Sequence, residues 1–380
     1  MGFDRHDTHT ALSAGKGEGV LVRKRSGGAC EVRFASAPIP SHTASDDSGF
    51  YNGGRYHWSR LTSPVCETTI QFDTLVPSWE AITPAGTWVE FEIRARAGGV
   101  WTRWFKMGVW ASGTESVERH SVKGQRSGRW RVLTDTLQSI GPVFADAYRY
   151  RLTLFTEEWG ISPLVRGVSL AASNSYRHGE CLEAPVDSSL WGRELAVPTR
   201  SQMVYPSGGE VWCSPASLSM VMAYWSDKTG KANLNQPVPT VARGTYDYVY
   251  GGNGNWPFNT AYASSFGLRA SVSRFDSLGQ VERWVAAGVP VVPSIAWKRG
   301  ELFGAPMPAS DGHLLVIRGF DLSGNVIVND PAGRDDSQVR RVYRRDEFAR
   351  AWFCSGSDGV AYLVCPNGSA PNYNYARGSL

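Results

Sequence analysis

Two segments of this chain alternate apolar and polar residues with a period of two, and that alternation limits what its first half can fold into. Residues 88–96, WVEFEIRAR, put Val89, Phe91, Ile93 and Ala95 on one side and Glu90, Glu92, Arg94 and Arg96 on the other. Residues 147–155, AYRYRLTLF, repeat the pattern with Tyr148, Tyr150, Leu152 and Leu154. Successive side chains of a strand point to opposite faces, so the pattern belongs to half-buried antiparallel strands rather than to a helix. Residues 100–110 and 164–172 are further strand candidates, set off by Gly, Pro and Ser turns. Several strands without long helical patterns predict an all-β sandwich over residues 21–173. Residues 1–20, polar and glycine-bearing, read as a flexible tail ahead of it.

Residues 174–197 are a polar connection with little periodicity, and the expected linker falls there. A chain of 380 residues fits two domains at ~100–200 residues each. Over residues 198–368 the pattern becomes α+β. Residues 214–225 and 277–287 read as helices, and 289–297, 313–320 and 325–330 as strands. Residues 369–380 read as a second tail.

Composition excludes several classes. Hydrophobic residues make up 42% and charged residues 19%, the balance of an ordinary globular chain. The net charge of +4 is spread over 39 basic and 35 acidic residues with no nucleic-acid motif, so no nucleic-acid partner is expected. Only 7 of the basic residues are Lys, which points to a GC-rich genome rather than to a function. No run approaches the ~20 apolar residues of a membrane span. Residues 1–28 lack the apolar core of a secretory signal, so the chain as written reads as cytoplasmic, or as secreted if a signal was removed. The six cysteines form no CxxC pair and no Cys/His set at zinc spacing, and neither metal nor cofactor is expected. A disulfide between Cys354 and Cys365 is one reading in an oxidising compartment.

The chemistry concentrates in SGGEVWCSPASLSMVMAYW, residues 207–225. Leu218, Val221, Met222 and Trp225 recur at helical spacing, with Ser214 suited to the N-cap and Pro215 to the first turn. Cys213 then stands at the start of a buried helix, where backbone N–H groups and the dipole favour a thiolate. The bland alternative is a small buried cysteine. His313 is the only histidine after His178, so an imidazole partner from the same half has to be His313. It opens HLLVIRGF; a turn at residues 321–324 and a strand at 325–329 follow, closed by Asp330-Pro331. Folding this as a hairpin puts position 330 opposite 313, within a residue, so the Asp330 carboxylate can orient the imidazole. The alternatives are a strand histidine and a turn aspartate. Gln202, eleven residues before the cysteine, carries an amide that can donate to an oxyanion together with the N–H of Cys213, or is simply a polar loop residue.

The segments SQMVYPSGGEVWCSPASLSMVMAYW, DGHLLVIRGFD and VIVNDPAG resemble the Gln, Cys, His and Asp blocks of the C39-like cysteine peptidase family, a branch of the papain-like fold. The likeness spans about 170 residues and keeps block order. It implies Cys213 as nucleophile, His313 as general base and acid, Asp330 as orienter and Gln202 as oxyanion donor, acting on a peptide or protein substrate. The inserted YPSGGEV lengthens the Gln-to-Cys spacing beyond that of bacteriocin-leader peptidases in the wider family. In the first half, SWEAITPAGTWVEFEIRAR, WTRWFKMGVWASG and VLTDTL resemble an accessory β-sandwich attached to some bacterial members. Two other functions compete: a thiol amidase or acyltransferase on the same fold, and a non-catalytic cell-surface binding protein. Trp101, Trp104 and Trp110 would suit cell-wall or glycan contact by the first half if exposed, and core packing if not.

Overall fold

The computed structural model describes residues 2–7, 12–24, 30–35, 42–177, 187–356 and 358–371. It is mostly β-sheet with few helices. The chain divides into two compact units, and Tyr246–Ser265 belongs to the same unit as Phe3–Asn174.

In that unit, one eight-stranded sheet centres on Thr74–Ile82 and Leu164–Ser173, and a second on Thr87–Ala97 and Ala145–Thr156. Thr87–Ala97 and Ala145–Thr156 pair antiparallel with Phe91 opposite Leu152. The apolar sides of both run as the alternation predicts: Val89, Phe91, Ile93, Ala95, Tyr148, Tyr150, Leu152 and Leu154 are fully buried. Trp79 of the first sheet stacks on Phe91 of the second at 5.4 Å, so the two sheets meet through their apolar faces. The polar side departs from expectation. Glu90 and Glu92 are buried as well, Glu90 against Tyr51 and Glu92 beside Arg151. The Tyr51 hydroxyl donates to Glu90 at 2.7 Å, and the Lys106 ammonium reaches the same carboxylate at 2.5 Å.

Two expectations for this half are corrected, and the tryptophan alternatives are resolved. Residues 2–7 are no tail: Gly2–Asp7 pairs with Leu164–Ser173, and Lys16–Glu18 with Arg55–Thr62. Residues 100–110 are not one strand but Val100–Trp101 and Phe105–Trp110, the latter with a bulge before Gly108. Trp110 is core, whereas Trp101 and Trp104 are half-buried with the Arg94 guanidinium 4.7 Å from each ring.

The unit also holds a helix, Trp256–Ser265, whose Phe258 is fully buried against Trp79 and Trp110. A Cβ on Gly108 would come within 2.9 Å of the Phe258 ring, so the close approach requires glycine there.

The other unit carries a third eight-stranded sheet. Its order is Arg269–Arg274, Val360–Cys365, Val291–Trp297, Val316–Phe320, Val326–Asn329, Arg340–Tyr343. Ser310–Leu314 pairs with Val291–Trp297. The end of the expected linker joins this sheet, with Arg193–Glu194 paired to Val316–Phe320. Helix α1, Cys213–Thr229, is buried continuously from Ser214 to Ser226 rather than along one face. Its serines satisfy their hydroxyls: Ser217 donates to Leu314 O at 3.1 Å, and Ser214 bonds the Tyr362 hydroxyl at 3.0 Å. Gly230, at φ 70°, ends the helix in the left-handed conformation.

Cys354 is disulfide-bonded but Cys365 keeps its thiol, so the expected Cys354–Cys365 bridge is not formed. Of the expected C-terminal tail, residues 372–380 lie outside the described residues, as does Cys181.

Candidate active site

Cys213 is the first residue of α1, and Trp212 is the N-cap. Ser214, expected at the cap, instead lies inside the first turn with its hydroxyl turned to Tyr362. The shift by one residue puts the thiol itself among the unpaired N–H groups of the helix start. The Ser214 and Leu314 N–H groups both bond toward the sulfur.

His313 reaches the site by a different route from the expected hairpin. Val316 stands opposite Asn329, a register that would set position 313 beyond 330. The chain breaks register at Leu315, and the His313 segment leaves the hairpin to pair with Val291–Trp297, His313 opposite Ile295. Asp330 follows its own strand, its N–H donating to Val339 O at 2.7 Å. The two side chains still meet: His313 Nε2 lies 2.8 Å from Asp330 Oδ1. His313 is 2% exposed and Asp330 0%. With Nε2 taken, Nδ1 is the nitrogen left for the thiol, and the Cys213 and His313 side chains interact strongly enough for each to shift the other's proton affinity. Trp297 packs edge-on to the imidazole, with ring centres 5.9 Å apart.

The charges follow from this chain of contacts. Burial alone would lift the Cys213 thiol, but the His313 hydrogen bond and charge, with the two backbone N–H groups, hold it below its ordinary value. Burial alone would lower the imidazole; Asp330 and then Cys213 reverse that and push His313 up to about 10. Asp330, which burial would raise, is held below the usual carboxylate range by His313, by Tyr343 and by the Ala332 N–H. Both shifts run toward the ionised forms, thiolate on Cys213 and imidazolium on His313.

Sequence reasoning missed Tyr343. It is fully buried on Arg340–Tyr343, three strands along the sheet from the Val291–Trp297 strand that His313 pairs with, and its hydroxyl donates to Asp330 Oδ2 at 2.6 Å. Thirteen residues separate the two, so no local motif links them. Asn329, the residue beside Asp330, is committed elsewhere: its amide donates to Val197 O and Pro198 O and accepts from Arg318.

Gln202 is buried, at 2% exposure, and its loop is tied to the Asp330 turn through its N–H to Pro331 O at 2.8 Å and Ser201 Oγ to Gly333 O. Its Nε2 donates to Gly209 O at 2.8 Å, and Oε1 is buried with no hydrogen-bond partner among the described residues. Gly209 allows this wrap, since a Cβ there would lie 2.1 Å from Gln202 O. Among the described residues no group of three or more His, Cys, Asp or Glu could hold a metal ion.

Residues 194–359 match the model of the Peptidase_C39 like family, and residues 2–173 match that of the Peptidase C39 N-terminal domain. Comparison with curated proteins finds no match. Among solved structures the chain is similar to a protein described as a C39-like peptidase from Bacillus anthracis, at 18% identity and TM-score 0.33, covering 46% of this chain and 98% of that one. It is also similar to TmCBM61, solved with β-1,4-galactotriose, at 12% identity and TM-score 0.23, over 45% of this chain and 88% of the other. A family 11 carbohydrate-binding module from Clostridium thermocellum follows at 10% identity and TM-score 0.19, over 46% and 89%. The chain thus carries a Peptidase C39 N-terminal domain over residues 2–173, followed by a Peptidase_C39 like domain over residues 194–359.

Proposed function

We propose that this protein is a cysteine peptidase whose papain-like α+β domain hydrolyses peptide bonds through Cys213, His313 and Asp330. The observation that carries the reading is the buried line of contacts from Asp330 through His313 to a thiol at a helix start. The Cys213 thiolate attacks the amide carbonyl and forms a tetrahedral oxyanion. The His313 imidazolium gives its proton to the departing amine, which leaves an acyl-thioester on Cys213. The neutral imidazole then takes a proton from water as it attacks the thioester, and returns it to the sulfur as the acid departs. Asp330 keeps Nε2 protonated so that Nδ1 faces the sulfur. The reaction is tested by incubating the full chain with a fluorogenic peptide library; cleavage blocked by iodoacetamide is expected.

Gln202 and the Cys213 N–H are assigned to the oxyanion. An amide that stabilises charge only in the transition state acts on kcat rather than on KM. Gln202→Ala is expected to lower kcat by ~10²–10³ with KM nearly unchanged. A change confined to KM would make Gln202 a substrate-binding residue.

Tyr343 is assigned as a positioning residue acting through Asp330. Tyr343→Phe leaves Asp330 Oδ2 buried and short of a donor, a loss of ~1–3 kcal/mol. The carboxylate then holds the imidazolium less tightly. Expected are a kcat lowered about tenfold or more and a pH profile for Cys213 alkylation moved toward that of a free thiol. A purely structural role would lower thermal stability and leave that profile in place.

The first half is read as a β-sandwich accessory module that holds cell-wall or glycan material for the peptidase. The half-buried Trp101 and Trp104 do not themselves carry that reading, since arginines cover their rings. Support comes from a cavity elsewhere in the unit.

A further inference from the structure

The unit that holds the first two sheets contains an open cavity of about 550 Å³, within the size range of small-molecule sites. Its walls come from residues 49–53, from residues 114–123 and from Tyr248 and Val249. These are loops, yet two buried carboxylates pin them, Asp46 the stretch 48–53 and Asp247 the stretches at Ser121 and Val249. Asp46, 5% exposed, accepts from Ser48 Oγ at 2.9 Å, Phe50 N at 3.0 Å, Tyr51 N at 2.6 Å and Gly53 N at 3.0 Å. Asp247, 0% exposed, accepts from Ser121 N at 3.0 Å, Val249 N at 3.0 Å, Tyr250 N at 2.9 Å and Asn255 Nδ2 at 2.9 Å. Burying a charge on a loop is costly unless it is fully hydrogen-bonded, and here eight donors meet that cost and fix those stretches. Tyr51 is held further by its bonds to Glu90 and Lys106. A loop set fixed this way is ready to bind with little ordering cost.

The lining says what it would hold. Phe50, Tyr51 and Tyr248 supply aromatic surface, and Tyr248 is 41% exposed. Thr114 adds a hydroxyl, and Asn52 and Ser116, each donating to Glu157, add oxygen lone pairs as acceptors. Glu118 and Lys123 offset one another, so no field of one sign draws a phosphate or nucleic acid. Nor is the lining apolar enough for a lipid chain or the buried face of a peptide helix. A sugar ring has the matching surface, with an apolar C–H face for an aromatic ring and hydroxyls around its edge for paired hydrogen bonds. We infer that this cavity binds one to three units of an uncharged saccharide. The assignment rests on reading the first half as an accessory module, and it gives that module a site.

The test is titration calorimetry of the full chain with chitotriose, cellotetraose and β-1,4-galactotriose, together with sedimentation on insoluble cell wall. Two variants alter the cavity far from Cys213 in sequence: Tyr248→Ala removes an aromatic wall, and Thr114→Trp fills the space. Expected are binding by the parent, a loss of at least tenfold in Tyr248→Ala, and none measurable in Thr114→Trp, with Cys213 alkylation unchanged in both. Equal binding in parent and both variants would overturn the cavity while leaving a glycan-binding module. A parent that binds no saccharide and no cell wall would remove the module reading as well. Cavity-dependent binding of peptides instead of saccharides would overturn the ligand class.

Discussion

Cys213→Ala is expected to abolish hydrolysis, with kcat falling by a factor on the order of 10⁶ while the fold persists. No other described group can take over the role. Cys66 is buried with its sulfur 3.6 Å from Pro64 O, and Cys365 is buried in its strand. Cys213, by contrast, has His313 and two backbone N–H groups acting on its sulfur. Removing one sulfur atom at a half-buried helix start leaves the packing of Leu218, Val221 and Met222 intact. A thermal midpoint within a few degrees of the parent, with no turnover, is the expected pair of readings. Residual turnover above ~1% of the parent would mean that another nucleophile operates.

Asp330→Asn is expected to be the next most damaging change, lowering kcat by ~10⁴ at nearly constant KM. The carboxylate accepts three donors: His313 Nε2 and the Ala332 N–H on Oδ1, and the Tyr343 hydroxyl on Oδ2. An amide keeps the shape but turns a donor toward one of them. If its NH₂ faces His313, Nε2 must accept and the ring proton moves to Nδ1, where it can no longer take a proton from the thiol. That placement also opposes the Ala332 N–H, which donates to the same oxygen. If the NH₂ faces Tyr343, the hydroxyl can turn and accept it, so the variant folds with His313 Nε2 still bonded, and the imidazolium loses the negative charge that stabilised it. Circular dichroism of the folded variant together with kcat and KM checks this. Near-parent turnover would remove Asp330 from the mechanism, and Asn329 is no substitute while its amide is tied to Val197, Pro198 and Arg318.

The sequence carried the parts of this arrangement that are local. The period-two alternation identified Thr87–Ala97 and Ala145–Thr156 and the sides they bury, because pleat and burial are properties of single strands. His313 could be paired with Cys213 by elimination, and Asp330 with His313 by its distance along the chain; the side chains do meet. What was not legible is set by distant pairings. The strand carrying His313 leaves its hairpin for Val291–Trp297, a choice that no turn signal encodes. Gly2–Asp7 looks like a tail until Leu164–Ser173 gives it a ladder. Tyr246–Ser265 sits amid the C39-like match yet packs with Phe3–Asn174, because Phe258 finds Trp79 and Trp110 there. The buried Glu90 and Glu92 escaped for the same reason: alternation reports a strand's two sides, not the residues that later cover one of them.

The central claim is that Cys213 and His313 form a thiolate–imidazolium couple, and the rate of alkylation by iodoacetamide against pH measures it directly. Burial opposes ionisation of the thiol, and the His313 contact and helix-start N–H groups outweigh it, so the thiolate should persist well below the ~8.5 of a free cysteine. Mass spectrometry after brief treatment should find the label on Cys213 ahead of Cys66 and Cys365, with a rate that persists at pH values where an ordinary thiol's has fallen away. His313→Ala should move that profile up to the range of an ordinary thiol. A Cys213 that alkylates no faster than the other cysteines, or a profile that His313→Ala leaves where it was, would contradict the couple and with it the peptidase reading.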